Sequence, residues 1–210
     1  MTQSGTEAAP RRRQARGERR IAELLDAAGA VFAEFGYSAT TTNAIAARAG
    51  VSPGTLYQYF PNKDAMADAL AERFAVQLHE LTQLMLVPGL TELPLDQLLE
   101  RVLEPLYRFH VENPACPVLF MGPDVPQRLA DAHAPLHAAM VAEVTALIAA
   151  LAPQLSAETL NRAAHVTAMT FKGLLPLIMA VTPEERPAMH AEVTRVFLGY
   201  ITLVIAAPGP

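Results

Sequence analysis

An all-α fold is what this sequence predicts: a small N-terminal three-helix unit holding a helix-turn-helix, followed by a larger helical domain. Three observations carry that reading. Apolar residues recur at intervals of three and four through most of the chain, β-branched residues never alternate over a useful window, and helix-stop and helix-start residues punctuate the first third at short intervals.

Residues 1–17, rich in Arg, Ala, Gly and Gln without periodicity, read as a mobile basic arm. The first helix is expected from about Glu18 to Phe35, because Ile21, Leu24, Leu25, Ala28, Val31, Phe32 and Phe35 fall on one helical face and Gly36 follows as a left-handed cap. Thr41 then caps a helix through about Ala49, Gly50 supplies the positive φ that ends it, and Ser52-Pro53 opens another with a preferred cap and first-turn proline. These two helices, each of about two turns, joined by Ala49-Gly50-Val51-Ser52, make the helix-turn-helix. Pro61-Asn62 breaks the chain, and a long helix from about Lys63 to Met85 carries Met66, Leu70, Phe74, Leu78, Leu81 and Met85 along one stripe.

Further helices are expected near 94–112, 125–152, 156–181 and 184–206, separated by Pro88-Gly89, the Asn113 to Pro123 connection, Pro153 and Thr182-Pro183. Pro135 and Pro176 fall inside apolar helical patterns and are expected to kink or divide their helices. Three regions result: an arm over 1–17, the helix-turn-helix domain over 18–63 and the body over 64–210.

Composition removes other classes. With 51% hydrophobic and 18% charged residues in 210, the chain is neither disordered nor a charged coiled coil. Its 11 glycines lack a triplet period and its 17 prolines are scattered, so fibrous readings fail. The single cysteine, Cys116, builds neither a disulfide framework nor a Cys-x-x-Cys zinc site, and a reducing cytoplasm is the expected compartment. The N-terminal arginines are followed by no apolar stretch that would make a secretory signal. The longest apolar run, about Gly173 to Val181, falls short of the roughly 18 residues a bilayer span requires, so no membrane partner is expected. Formal net charge is −5, but residues 1–63 hold 8 Lys+Arg against 5 Asp+Glu, leaving 8 against 16 for the rest. A basic head on an acidic body is the distribution of a nucleic-acid-binding chain.

The segment from Thr41 to Lys63, TTNAIAARAGVSPGTLYQYFPNK, concentrates the functional signal. At 100° per residue Leu56 and Phe60 share one face and can anchor the second helix, with Val51 at its entry. The opposite face shows Gly54 and Gln58, flanked by Thr55 and Tyr57. Glycine clears space for a sugar-phosphate strand, while Gln and Thr can bond base edges. That face is uncharged, so affinity must come from Arg48, Lys63 and the arginine arm, helped by tyrosine and threonine hydroxyls on phosphates. Lys63 stands in the first turn of its helix, where a cation opposes the macrodipole, which suggests a nearby anion such as a phosphate.

The spacing Ile-Ala, Ala-Gly-Val-Ser, Gly-Thr-Leu-Tyr-x-Tyr-Phe, Asn-Lys resembles the DNA-binding domain of the TetR/AcrR family of bacterial repressors over about residues 18–66. The resemblance implies phosphate contacts from Thr41, Tyr57, Tyr59 and Lys63, and base or groove contacts from Asn43, Pro53, Gly54, Thr55 and Gln58. Thr41 is equally explained as a helix cap, and Tyr59, nearer the buried face than Tyr57, as a packing residue. Position 43 departs from the basic residue often found there.

The body is rich in methionine and aromatic residues, which are core unless some line a cavity for a small apolar or aromatic effector. Phe74, Tyr107, His110, Phe120, Met140, His165, Met169 and Thr170 are the candidate lining residues. His133 and His137 share a helical spacing that metals use, but no acidic or sulfur ligand accompanies them, and neither metal nor cofactor is expected. Cys116 reads as a small apolar thiol in a connection rather than a redox sensor. No nucleophile elbow, phosphate loop or carboxylate pair appears, so the chain is not expected to be an enzyme. The last two helices carry more apolar surface than one thin domain covers, and the resemblance implies a two-fold four-helix dimer interface, for which Met169, Leu177, Val193, Phe197, Tyr200, Ile201 and Val204 are the candidates. The reading is a homodimeric, ligand-responsive transcriptional repressor on a palindromic double-stranded DNA operator. The alternative is an all-α small-molecule-binding or scaffolding protein without a DNA target.

Overall fold

The computed structural model describes residues 8–85, 87–122 and 124–208. Among the described residues there is no strand. The helices are α1 (Ala8–Ala39), α2 (Thr42–Arg48), α3 (Pro53–Tyr57), α4 (Lys63–Met85), α5 (Leu95–Glu112), α6 (Ala115–Met121), α7 (Gln127–Leu151), α8 (Ala157–Ala180) and α9 (Arg186–Ile205), with a 3₁₀ turn at Leu90–Glu92.

The expected capping chemistry is in place. Gly36 takes φ 77° and bends the end of α1, while Gly50 takes φ 65° after α2. Thr41 Oγ1 accepts from the Ala44 amide at 3.2 Å and Ser52 Oγ from the Thr55 amide at 3.1 Å, so both short helices start on side-chain caps. Asn62 Oδ1 does the same for α4, accepting from Ala65 at 2.8 Å. At five residues α3 is shorter than the two turns expected.

Two expectations are corrected and a third is narrowed. Residues 1–7 of the basic arm lie outside the described residues, but Ala8 to Gly17 extend α1, because alanine, arginine and glutamine are strong helix formers even without an apolar face. The Asn113–Pro123 connection contains α6, a two-turn helix whose Ala115, Cys116 and Leu119 are buried. Of the kink or division expected at Pro135 and Pro176, division is the part that fails, since α7 and α8 run through them. Cys116 is therefore a buried helical thiol, its pKa raised by burial.

The chain forms two compact units. The first takes the described residues up to Phe74 together with Pro114–Leu129, so α6 belongs to the head rather than the body, and α4 is shared between the units. Its core is Leu24, Ala28, Val31 and Phe32 of α1, Ile45 and Ala46 of α2, Leu56 of α3, and Met66, Leu70 and Phe74 of α4. Gly29 of α1 faces α6, where a Cβ would stand at an ordinary contact distance of 3.8 Å from the Ala115 methyl. The second unit takes Ala75–Asn113 and the described residues from Ala130 onward. Buried leucines of α5 meet Phe171, Leu175 and Ile178 of α8 and Val193, Phe197 and Ile201 of α9.

The longest uninterrupted apolar run understates how apolar this unit is. By length and composition α7, α8 and α9 are each apolar enough to cross a bilayer, because a helix-long average tolerates isolated polar residues that interrupt a run. Part of that apolar surface faces outward: Val166, Met169 and Leu177 on α8, Val196 and Leu203 on α9 are exposed.

Candidate nucleic-acid interface

Short helices hold side chains rigidly only if one face is anchored, and in α3 it is. Leu56 is fully buried and Phe60 nearly so, which turns Pro53, Gly54, Tyr57 and Gln58 outward. Gly54 has no reason to be glycine within the fold. Its φ is not positive, and a Cβ would meet only Ser52 Oγ, at an ordinary 3.8 Å. The missing methyl clears space on the outer surface instead. Tyr57 is 51% exposed and its Oη lies 2.9 Å from Thr42 Oγ1, a contact that fixes the phenol between α2 and α3. The role of Thr42 was not read from the sequence, where nothing marks it apart from its threonine neighbours. Thr55 is half-buried, with its hydroxyl 2.9 Å from that of Ser52. Asn43, on the first turn of α2, is exposed.

Thr41 acts as the cap already considered for it. Tyr59 is exposed, not a packing residue, and with Arg16, Arg19 and Arg20 it lines a surface cleft at α1. Arg48 forms an ion pair with Glu34 of α1, so its charge is shared.

Lys63 is placed differently from expectation. Its ammonium donates to the carbonyls of Tyr37, Ser38 and Thr40 at 2.9, 3.0 and 3.0 Å and stands 4.8 Å from the Tyr37 ring centroid. All three donors are spent. The negative partner inferred from the macrodipole is met within the fold by the carbonyl end of α1, whose oxygens carry partial negative charge. Beside it the Tyr37 hydroxyl donates to the Asp64 carboxylate and accepts from Arg128 at 3.2 Å, while Arg128 pairs with Asp68 and Asp64. Burial, then the Asp64 bond, raises the Tyr37 pKa. This cluster ties α1, α4 and the start of α7 within the head.

In the body, a narrow cavity of about 80 Å³ lies among α5, α7, α8 and α9. Of the eight residues expected to line an effector pocket only Met140 borders it; the rest is mainly leucine, valine and isoleucine, with Phe171 and Phe197. Phe74 and Phe120 instead pack edge-to-face in the head, with centroids 6.3 Å apart. His110 is buried, Nδ1 lies 2.7 Å from the Leu106 carbonyl, and burial lowers its pKa. Met169 and His165 face outward from α8, and Thr170 is half-buried away from the cavity. The missed signal was the leucine repeat of α5 itself, at Leu95, Leu98, Leu99, Leu103 and Leu106. His133 and His137 both lie on α7, the latter with its ring 6.5 Å from that of His165; no group of three metal-capable side chains occurs among the described residues.

The expected dimer residues divide. Met169 and Leu177 are exposed, Tyr200 and Val204 half-buried, but Val193, Phe197 and Ile201 are buried inside the body. Helix α9 is apolar on two sides, and these three occupy the inner one.

Residues 24–70 match the model of bacterial regulatory proteins of the tetR family, and residues 93–205 that of the tetracyclin repressor-like C-terminal domain. The chain belongs to the TetR family. Members are DNA-binding regulators of transcription rather than enzymes. The HTH-type transcriptional repressor KstR2 of Rhodococcus jostii strain RHA1 is 46% identical over 55 residues, 26% of this chain and 27% of that one. The nucleoid occlusion factor SlmA of Glaesserella parasuis is 31% identical over 105 residues, 50% of this chain and 49% of that one. The matches thus span a quarter to a half of these relatives. A TetR-like transcriptional regulator from Rhodococcus sp. RHA1 shares the fold, with TM-score 0.66 at 19% identity over 86% of this chain and 96% of that one.

Proposed function

We propose that the chain is a homodimeric, cytoplasmic transcriptional repressor, released from a palindromic operator by a small apolar or aromatic molecule. The observation that carries the DNA reading is the outer face of α3, where an exposed glycine that the fold does not require stands beside exposed Gln58 and Tyr57. In this reading Asn43, Pro53, Gly54, Thr55 and Gln58 meet base edges or groove walls, Thr41, Tyr57 and Tyr59 meet phosphates, and the arginines of α1 add charge. Lys63 is a structural clamp instead.

Dimerisation is supported by a pair of outward stripes: Val166, Met169, Gly173 and Leu177 on α8, and Val196, Gly199 and Leu203 on α9. A Cβ at Gly173 or Gly199 would meet nothing within 4 Å. Glycine inside a helix costs about 1 kcal/mol relative to alanine, and close approach of a second copy's helices is a reason to retain it. The apolar cavity is smaller than the roughly 300 Å³ of an ordinary ligand pocket, so an effector must favour an expanded body that holds operator less tightly.

Selecting bound duplexes from a random pool tests the function. A palindrome should emerge, and Gln58→Ala should lose about 1–3 kcal/mol at one base pair per half-site and little at the others. Recovery of no preferred sequence would favour the reading as a helical binding protein without a DNA target.

A further inference from the structure

A second cleft in the body, of about 600 Å³, separates α5 from the first half of α9 and is polar where the enclosed cavity is not. Three polar atoms that are buried without a hydrogen-bond partner border it: Tyr107 Oη, Arg186 Nε and His190 Nε2. Tyr107 is only 1% exposed, its ring stacked on Phe171 at 5.4 Å and tilted against His190 at 4.9 Å. A phenol held there by packing alone would serve better as phenylalanine, since its unpaired hydroxyl only costs stability.

The charges around the cleft are separated along it. Helices α5 and α9 run antiparallel, for Tyr107 meets His190 while Leu95 and Ile201 share the enclosed cavity. Arg186 therefore stands at the Tyr107 end, and Glu100 and Asp96, one and two turns before Glu104 on α5, lie toward the other. Glu104 is paired with Arg108 at 3.6 Å and Arg195 with Glu192 at 2.8 Å. Arg186, Glu100 and Asp96 have no ion-pair partner among the described residues. A carboxylate can accept from both Arg186 and Tyr107, and an amine about 10 Å away along the cleft, two helical turns, reaches Glu100, while Asp96 lies a further turn beyond.

We infer that this cleft binds a small zwitterion, its carboxylate on Arg186 and Tyr107, its alkyl part along the Tyr107 and His190 rings, and its ammonium at Glu100. On the α9 wheel Ala191, Thr194 and Leu198, which line the cleft, lie about 130° from the Val196, Gly199 and Leu203 stripe, so dimer pairing leaves the cleft open. The site stands independently of the operator reading, because its test contains no DNA.

Calorimetric titration of the full chain with 6-aminohexanoate, hexanoate and hexylamine provides that test. The zwitterion should bind at least tenfold more tightly than either single-charge analogue. Arg186→Gln and Tyr107→Phe should each weaken it at least fivefold, and Glu100→Gln should weaken the zwitterion while leaving hexanoate unchanged. Tyr107→Phe should also raise the melting temperature of the free protein, a change that a merely structural hydroxyl would reverse. Equal affinities for the three probes, absence of binding by all three, or zwitterion binding indifferent to both Arg186→Gln and Tyr107→Phe would overturn the assignment.

Discussion

A lysine in the first turn of a helix faces the positive end of that helix's dipole, and Lys63 shows what such a conflict signifies. Negative potential does stand close to that cation, supplied by the end of α1, which folds back to offer three carbonyls. Sequence separation hid the partner, since Tyr37 to Thr40 lie more than 20 residues away. For Tyr59 the angle on an ideal helix admits both readings, phosphate contact and packing; α3 ends at Tyr57, ideal angles do not extend past it, and the exposed ring removes the packing alternative. Lys63→Ala is therefore expected to remove charge-assisted hydrogen bonds worth about 2 kcal/mol of stability, visible as a lower urea midpoint. The salt dependence of operator binding should stay unchanged, and a slope lower by about 0.9 per head would restore Lys63 to the phosphate contacts.

At the scale of elements, caps and stops were legible because they are local. Thr41, Gly50, Ser52 and Pro53 act on groups within four residues, and each sits where its chemistry placed it. Helix α6 was hidden because Pro114, Pro117 and Pro123 crowd seven helical residues into a stretch that reads as a connection. The inner and outer sides of α9 were indistinguishable in principle, since periodicity finds apolar stripes without saying which neighbour covers them. Fold packing now separates the two. Val196→Glu with Leu203→Glu should give a soluble, folded monomer by sedimentation with helical circular dichroism retained. Phe197→Glu alone should instead lose the cooperative thermal transition, because it buries an unpaired charge in the core. A folded monomer from Phe197→Glu would return that residue to the interface.

For the whole molecule the informative quantity is where charge lies, not its total of −5. An acidic body cannot neutralise phosphates, so the salt dependence of operator binding must originate in the head, chiefly in the arginines of α1 and its N-terminal extension. Arg16 is exposed on that extension and borders the same cleft as Tyr59, without a partner among the salt bridges of the described residues, whereas Arg19 and Arg20 already share Glu23. Replacing Arg16 by glutamine should leave folding stability within about 0.5 kcal/mol of wild type, as for surface changes generally. It should weaken binding to every duplex alike, because a phosphate contact reports no sequence. In the proposed dimer, two-fold symmetry doubles the signature. On the full palindrome the slope of log affinity against log salt should become shallower by about 1.8, the share of one phosphate from each of two heads, and on an isolated half-site by about 0.9. Equal changes on both duplexes would mean that one head does the binding; no change on either would assign the electrostatics to residues other than Arg16.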